Sequence, residues 1–217
     1  MTREELIRKV ALKMDEISSS TDVIVSVTAA DNNPLYTQIN DLLDESINDV
    51  LMKAPVFRLD SQAKKAEGLA VTPKKIFNES RVAAQFSAPD DFLRLVSITD
   101  ETHFQRPIVD FSVEGDDVDK RQHNRFLVAR KAKPVAVIGG GNGKKTVTCY
   151  SYDAGDTPSL TVIYIPRYVG AGLDGEVTLD GYLTDIVSWL CAGKVFAAQG
   201  DMGKGKICDD NAAALMI

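Results

Sequence analysis

The glycine-rich stretch at positions 139–145, GGGNGKK, has residue types that could bind a phosphate group. Glycine amides together with a lysine cradle phosphates when the loop joins a strand to a helix. Here no glycine stands five positions before Gly143, and Lys145 occupies the position of the required Ser or Thr. The run that follows, TVTCYSY, is typical of a strand. We therefore predict a hairpin tip that is structural or contacts a partner, and that binds no nucleotide.

Carboxylates are concentrated just after position 113. Those that could bind a hard cation through oxygen ligands are Glu114, Asp116, Asp117 and Asp119. The cluster lacks the alternating acids, the sixth-position glycine and the terminal Glu of a calcium loop. The pattern therefore favours a solvated turn between strands.

Few residues are candidates for acid–base or zinc chemistry. His103 and His123 are the only histidines. We interpret neither as having a Cys, His or carboxylate at metal-ligand spacing. Asp90 and Asp91 could act as general acid and base, but a turn that leads into a strand is the favoured interpretation. The chain has no G-x-S-x-G motif. The sequence therefore predicts no catalytic residue, no metal site and no cofactor.

Composition places the chain among ordinary globular proteins, with 44% hydrophobic residues. Its 25 basic and 31 acidic residues give a net charge of −6. This negative charge argues against general, sequence-independent binding to nucleic-acid phosphates. No apolar run approaches the roughly 20 residues that span a bilayer, so we expect no membrane association. The first residues, MTREELIRKV, predict an amphipathic helix and not a signal peptide. Three widely spaced cysteines fit a reducing, cytosolic compartment.

Positive charge is nevertheless concentrated in the middle of the chain. The residues concerned are Lys64, Lys65, Lys74, Lys75, Arg121, Arg125, Arg130, Lys131 and Lys133. We expect them either to form a solvated face or to line a passage for DNA, where charge without base-reading residues is sufficient.

Among the elements that must position these residues, the segment 180–199 is predicted to be the central helix. Apolar residues recur in it at three- and four-residue steps, which predicts a helix with one face in a core. Thr178 or Asp180 could cap its start, and Gly200 could end it. The segment carries the only tryptophan, Trp189, which we expect to be buried in this core.

Two further helices are predicted near the N-terminus. Thr2 and Glu5 match a capping box at the start of the first. Asn33-Pro34 predicts the start of the second, with Asn33 as the cap. Between the two helices, the β-branched segment 22–30 is expected to be a strand or an apolar arm that pairs with another subunit.

Short β-branched or aromatic runs alternate with Gly, Pro, Asn and Asp between Val56 and Tyr168. The runs are VTPKKIF, RVAAQFSAP, FLRLVSIT, RPIVDFSV, NRFLVAR, KPVAVIG, KTVTCYSY and SLTVIYIP. This spacing predicts an antiparallel β subdomain, barrel-like or sandwich-like. The charged stretch 62–68 is expected to be a short helix or a loop.

The apolar stripes of the two N-terminal helices have no partner until position 180. The termini are therefore expected to come together around the central helix. We predict an α+β fold in which residues 1–55 and 176–217 form a helical bundle and residues 56–175 form an inserted β subdomain.

The end of the chain is predicted to contact a partner. Positions 200–206, GDMGKGK, predict a flexible turn. Apolar residues beyond it, which a lone monomer would gain by burying, are Ile207, Leu215, Met216 and Ile217. The alternative is a last helical turn that packs on its own bundle.

Three stretches, together with their order, resemble the head-to-tail adaptor (connector ring) proteins of tailed bacteriophages, especially those with short tails. NPLYTQINDLLDESINDVLMKAP (33–55) is similar to the family's helix that leads into an alanine-proline stop. PDDFLRLVSI (89–98) resembles the family's strand entry into the inserted β part. The segment 182–201, with Trp189 and Phe196, resembles the late helix that completes the bundle. The β insertion is longer here than in the family's pattern.

The resemblance implies a structural virion protein of the neck that is not an enzyme. It implies a ring of about twelve copies, assembled in the host cytoplasm, that lies under the portal. The ring would join the portal to the next tail or neck ring protein and extend the channel for genomic DNA, without sequence-specific binding. The C-terminal residues would insert between portal subunits. The alternatives are a small hydrolase or nucleotide-binding enzyme built on the β subdomain, and a tail-completion protein that does not contact the portal.

Overall fold

The computed structural model describes residues 1–17, 34–76, 81–140, 144–170, 172–173 and 175–217. In chain order the helices are α1 (Arg3–Ile17), α2 (Pro34–Lys53), α3 (Asp117–Gln122), α4 (Gly181–Ala198) and α5 (Met202–Leu215). The strands are β1 (Lys64–Ala66), β2 (Thr72–Ile76), β3 (Arg81–Ser87), β4 (Phe92–Thr99), β5 (Phe111–Val113), β6 (Val135–Gly139), β7 (Thr146–Asp153) and β8 (Thr161–Pro166). Two 3-10 turns, Val56–Arg58 and Asp60–Gln62, follow α2. The predicted α+β class is confirmed.

The chain divides into two compact units. The helical unit comprises Met1–Gln62 and Arg167–Ile217, and the β unit comprises Ala63–Pro166. The β unit is shorter at both ends than the predicted subdomain of residues 56–175, because the 3-10 turns and the segment after Pro166 group with the helices.

Helix α4 lies at the centre of the helical unit, in contact with α1, α2 and α5. Its core face is aliphatic, since Leu183, Ile186 and Val187 are completely buried. Trp189 is only half-buried, and the ammonium group of Lys13 lies 4.8 Å from the centroid of its ring. The expectation that Trp189 lies inside the core is therefore wrong, although its helix is central.

The N-terminus is tied to the connector that returns from the β unit. The predicted capping box is present: Thr2 N donates to Glu5 Oε2 at 2.8 Å, and Glu5 N donates to Thr2 Oγ1 at 3.2 Å. Arg3 N donates to Gly175 O at 2.9 Å, and Val177 N donates to Met1 O at 2.8 Å. The two chain segments of the helical unit are thus joined by backbone hydrogen bonds.

The stretch 200–206, which predicted a flexible turn, mostly belongs to helix α5, so that prediction is wrong. Three residues, Gln199, Gly200 and Asp201, separate α4 from α5, and Gly200 has a φ of +87°. Asp201 caps α5 by accepting a hydrogen bond from Lys204 N at 3.1 Å. A Cβ atom added at Gly205 would lie 3.1 Å from Gly193 O, so the glycine lets the two helices approach closely.

Within its described residues, the β unit contains two sheets with strand orders β1-β8-β4 and β2-β3-β7-β6-β5. The strand pairs are antiparallel except for β5 and β6, which run parallel. Both sheets contribute to one buried core that includes Phe86, Ile98, Val147 and Val162. The arrangement is therefore the sandwich-like form of the prediction.

Three local predictions in the β region are wrong. The stretch 62–68 contains β1, because Lys65 pairs with Ile163 of β8. The run 106–113 forms a strand only over its last three residues. The run 124–130 forms turns, since Asn124 O accepts hydrogen bonds from two successive amides, those of residues 127 and 128. Local β propensity in this run is overridden by the turn that Asn124 sets.

Some predictions lie outside the described residues. They concern the cap at Asn33, the segment 22–30 and positions 141–143 of the glycine-rich stretch.

Candidate functional site

The predicted docking residues lie on or just after helix α5, which packs on its own bundle through Gly205, Cys208 and Ala212. The four residues are Ile207, Leu215, Met216 and Ile217. Ile207 is 51% exposed and Ile217 is 96% exposed, whereas Leu215 and Met216 are half-buried. A swinging C-terminal segment is therefore not observed, because the helix buries its small residues against α4. Ile207 and Ile217, which we call the α5 outer pair, are the most accessible of the four.

The glycine-rich stretch connects two strands. Gly139 at the end of β6 pairs with Thr146 at the start of β7, in antiparallel register. A phosphate loop needs a helix after its lysine, and β7 occupies that place. The predicted hairpin is confirmed, and the absence of nucleotide binding stays a prediction.

Two carboxylates of the acidic cluster, Asp116 and Asp119, organise the short helix α3, and Asp119 is buried, which corrects the prediction that the whole cluster is a solvated turn. Asp116 accepts hydrogen bonds from Asp119 N at 2.8 Å and from the Ser112 hydroxyl. The bond from Ser112, with the backbone amides, lowers the pKa of Asp116. Asp119 is 8% exposed and accepts a hydrogen bond from Gly115 N at 2.9 Å. Among the described residues, no group of three or more His, Cys, Asp or Glu is arranged to hold a metal ion.

Asp90 and Asp91 lie in a turn that leads into β4, as predicted. Lys64 Nζ lies 2.7 Å from Asp91 Oδ2, and the Tyr164 hydroxyl donates to Asp91 Oδ1 at 2.8 Å. The bond from Lys64 lowers the pKa of Asp91, while burial and then Asp91 raise the pKa of Tyr164 to about 12. This carboxylate is held ionised by two donors, which suits a structural ion pair better than a general acid or base.

Sequence reasoning missed a buried polar network in the β unit, which we call the Asp100 network. The Asp100 carboxylate is 1% exposed. Its Oδ2 accepts hydrogen bonds from the Tyr152 hydroxyl and Ser159 N, both at 3.0 Å. Its Oδ1 accepts from Thr102 N at 3.1 Å and lies 3.0 Å from His103 Nδ1. Burial alone would raise the pKa of Asp100, but these hydrogen bonds outweigh burial and lower it.

A β-bulge directs Tyr152 toward this network. Val82 pairs with Tyr152 and Ala84 pairs with Cys149, so two residues of β7 lie opposite Ala83. Ser151 has a φ of +119°, a strained value for a residue other than glycine. Because of the extra residue, the side chains of Cys149 and Tyr152 both enter the main core instead of lying on opposite faces.

His103 is held between two carboxylates. Its Nδ1 faces Asp100, and its Nε2 lies 3.6 Å from Asp156 Oδ1. Burial alone would raise the pKa of Asp156, but Lys131, whose Nζ lies 2.9 Å away, and the backbone amide of residue 153 together lower it. A catalytic histidine needs a ring nitrogen that can take a proton from a nucleophile. Both nitrogens here face carboxylates, so the geometry favours a structural clamp.

The interpretation that neither histidine has a carboxylate at metal-ligand spacing is wrong. Asp100 precedes His103 by three positions, and Asp119 precedes His123 by four, with His123 Nε2 3.7 Å from Asp119 Oδ1. The three-residue spacing of Asp100 and His103 was the available local signal. Tyr152 and Ser159 are more than 50 positions further along the chain, so their participation had no local signal.

Charge is distributed unevenly between the two units. The helical unit has 10 basic and 18 acidic residues, a net charge of −8, whereas the β unit has 15 and 13, a net charge of +2. Of the predicted basic residues, Lys64, Lys65 and Lys131 pair with carboxylates. Within the part of the chain that the structure describes, Arg121 and Arg125 are exposed and have no carboxylate partner. The free positive charge of the β unit is thus partly located around α3.

Comparison with known proteins adds no assignment. No protein-family model matches the chain, and no curated protein matches it at a significant level. None of the helices among the described residues is long and apolar enough to cross a membrane.

Proposed function

We propose that this protein is a head-to-tail adaptor of a tailed bacteriophage, a structural virion protein with no catalytic role. In this proposal about twelve copies form a ring that joins the portal to the next tail or neck ring protein. The ring extends the DNA channel and contacts the genome without reading its sequence. It needs no cofactor.

The observation that carries the proposal is the layout of the chain. Helices from both ends pack around α4, and the β unit is inserted between them. The three stretches that resemble the adaptor family fall in α2, at the entry to β4 and in α4. A structural role for His103 is consistent with the proposal, because its Nδ1 lies 3.0 Å from Asp100 Oδ1 and its Nε2 lies 3.6 Å from Asp156 Oδ1.

The surface proposed to dock on the portal is the α5 outer pair. Complete burial of an isoleucine side chain is worth roughly 1.5–3 kcal/mol, and both members of the pair have much of that area still to bury. Repetition around a ring would multiply the effect through avidity. The helix itself need not move, since these two side chains already face away from the bundle.

The test is to mix the protein with the portal of the same phage and to image the complex by negative-stain microscopy. Double substitution Ile207→Asp with Ile217→Asp should abolish assembly on the portal, because charged groups would replace the apolar contacts. The melting temperature should change little, since both side chains are largely exposed. Deletion of residues 207–217 would test docking less specifically, because it would also remove the buried Cys208 and Ala212 and could destabilise the bundle.

Leu12→Asp is the matched control, because Leu12 is 59% exposed on another helix of the same unit. Rings on the portal formed equally by the double variant would exclude α5 as the docking surface. A ring that never associates with the portal would favour a tail-completion protein. A monomer with a nucleotide-dependent or metal-dependent thermal shift would favour the enzyme.

A further inference from the structure

An apolar tip projects from the β unit just after α3. Phe126 is 86% exposed and Leu127 is 57% exposed. We call residues 123–128 the Phe126 loop. An aromatic side chain this accessible gains none of the free energy that burial of its apolar area would supply. Exposed apolar groups that lie together often mark a contact with another molecule.

The loop is held rigidly although its tip is exposed. At its base, the amide of the buried Gln122 donates to Val118 O at 2.9 Å, and its Oε1 accepts from Ala129 N at 2.9 Å. Within the loop, Asn124 Oδ1 accepts from Phe126 N at 3.0 Å. Asn124 O also accepts from the two amides that follow Phe126, each at 3.0 Å. A tip fixed in this way loses little conformational entropy when it binds.

The charges beside the tip indicate the kind of surface that would cover it. Arg121 and Arg125 are exposed and have no carboxylate partner within the described ranges. Arginine beside a rigid aromatic side chain is the composition of an interface hot spot. Such a tip is complementary to a surface that combines carboxylates with an apolar contact, and the helical unit of this chain carries a net charge of −8.

We propose that the Phe126 loop of one copy docks on the acidic helical unit of a second copy. This contact is heterologous, and a heterologous contact that closes produces a ring. The inference rests on the proposed function, since it names one side of the contact between neighbouring copies. Nucleic acid is the less suitable occupant, because Phe126 is the one Phe, Tyr or Trp of the loop and single-strand sites stack successive bases on several aromatic side chains.

The test compares four variants by analytical ultracentrifugation, and by negative-stain imaging after mixing with the portal. Phe126→Ser and Arg125→Glu should each weaken association between copies by about tenfold or more. Val109→Ser and Arg106→Glu are the controls, since both residues are exposed in the β unit and lie outside the loop. Higher salt should weaken wild-type association and should have a smaller effect on Arg125→Glu.

The outcomes separate the two proposals. Wild-type protein that forms no ring, alone or on the portal, overturns the proposed function and this contact together. Wild-type rings that form equally with Phe126→Ser and Arg125→Glu overturn only the contact. Retained rings with lost binding of a fluorescent single-stranded DNA would assign the loop to nucleic acid instead. Weakened rings with unchanged melting temperatures support the contact, because the substituted side chains are exposed in the single copy.

Discussion

Replacing Asp100 with asparagine should destabilise the β unit by about 2–4 kcal/mol. The native carboxylate accepts hydrogen bonds at both oxygens, from Tyr152 and Ser159 on one side and from backbone amides on the other. An asparagine must turn its NH2 group toward one of these sets of donors. Each buried donor left without an acceptor costs about 1–3 kcal/mol, and the Tyr152 hydroxyl can rotate to limit the loss.

The effect should depend on pH in a defined direction. The pKa of Asp100 is lowered in the folded protein relative to its ordinary value of 3.8. Its contribution to stability is therefore fully present above pH 3.8 and is lost as the pH falls toward the lowered folded value. The free energies of unfolding of the wild type and of Asp100→Asn should differ most near neutral pH and should converge in acid.

Urea unfolding measures the free energy, and hydrogen exchange detected by mass spectrometry locates the loss, which we expect in residues 100–104 and 152–160. Asp117→Asn is the control, because the Asp117 side chain is 87% exposed, and it should change stability by less than about 0.5 kcal/mol. A cost for Asp100→Asn below about 1 kcal/mol, or a cost that does not shrink in acid, would refute the reasoning.

Two further predictions concern the core and the hairpin. Ile186→Ala should cost about 2–5 kcal/mol, because Ile186 is completely buried, whereas Trp189→Ala should cost only about 1–2 kcal/mol. Thermal and urea unfolding measure both, and an equal or larger cost for Trp189 would contradict the assignment of the core face. ATP and GTP should show no micromolar affinity by isothermal titration calorimetry, and measured binding that Lys144→Ala removes would overturn the hairpin interpretation.

The elements with strong local signals could be predicted from the sequence. Thr2 and Glu5 identified the start of α1, because a capping box is built from residues three positions apart. The apolar period identified α4, and alternating runs identified most strands. These signals depend on residues that are close in the sequence, so they can be recognised without knowledge of the fold.

The candidate binding surfaces could be predicted from the sequence only in part. The C-terminal apolar residues were recognised by type, but their burial was not, because burial depends on which face of α5 meets α4. The glycines of 200–206 indicated a turn locally. Gly205 instead lies against Gly193, where the absence of a side chain permits close helix packing. The Phe126 loop was predicted as a strand from its β-branched and aromatic residues.

The sequence by itself determined the fold class, the main helices and the absence of a recognisable catalytic motif. The tertiary structure decided how the N-terminus bonds to the connector before α4, which side chain completes the Asp100 network and which apolar groups stay exposed. The β-bulge at Ser151 illustrates the difference, since a shift of one residue moves Tyr152 to the face where Asp100 lies. Such contacts join residues more than 50 positions apart, and their free energy is gained only when the whole unit is folded.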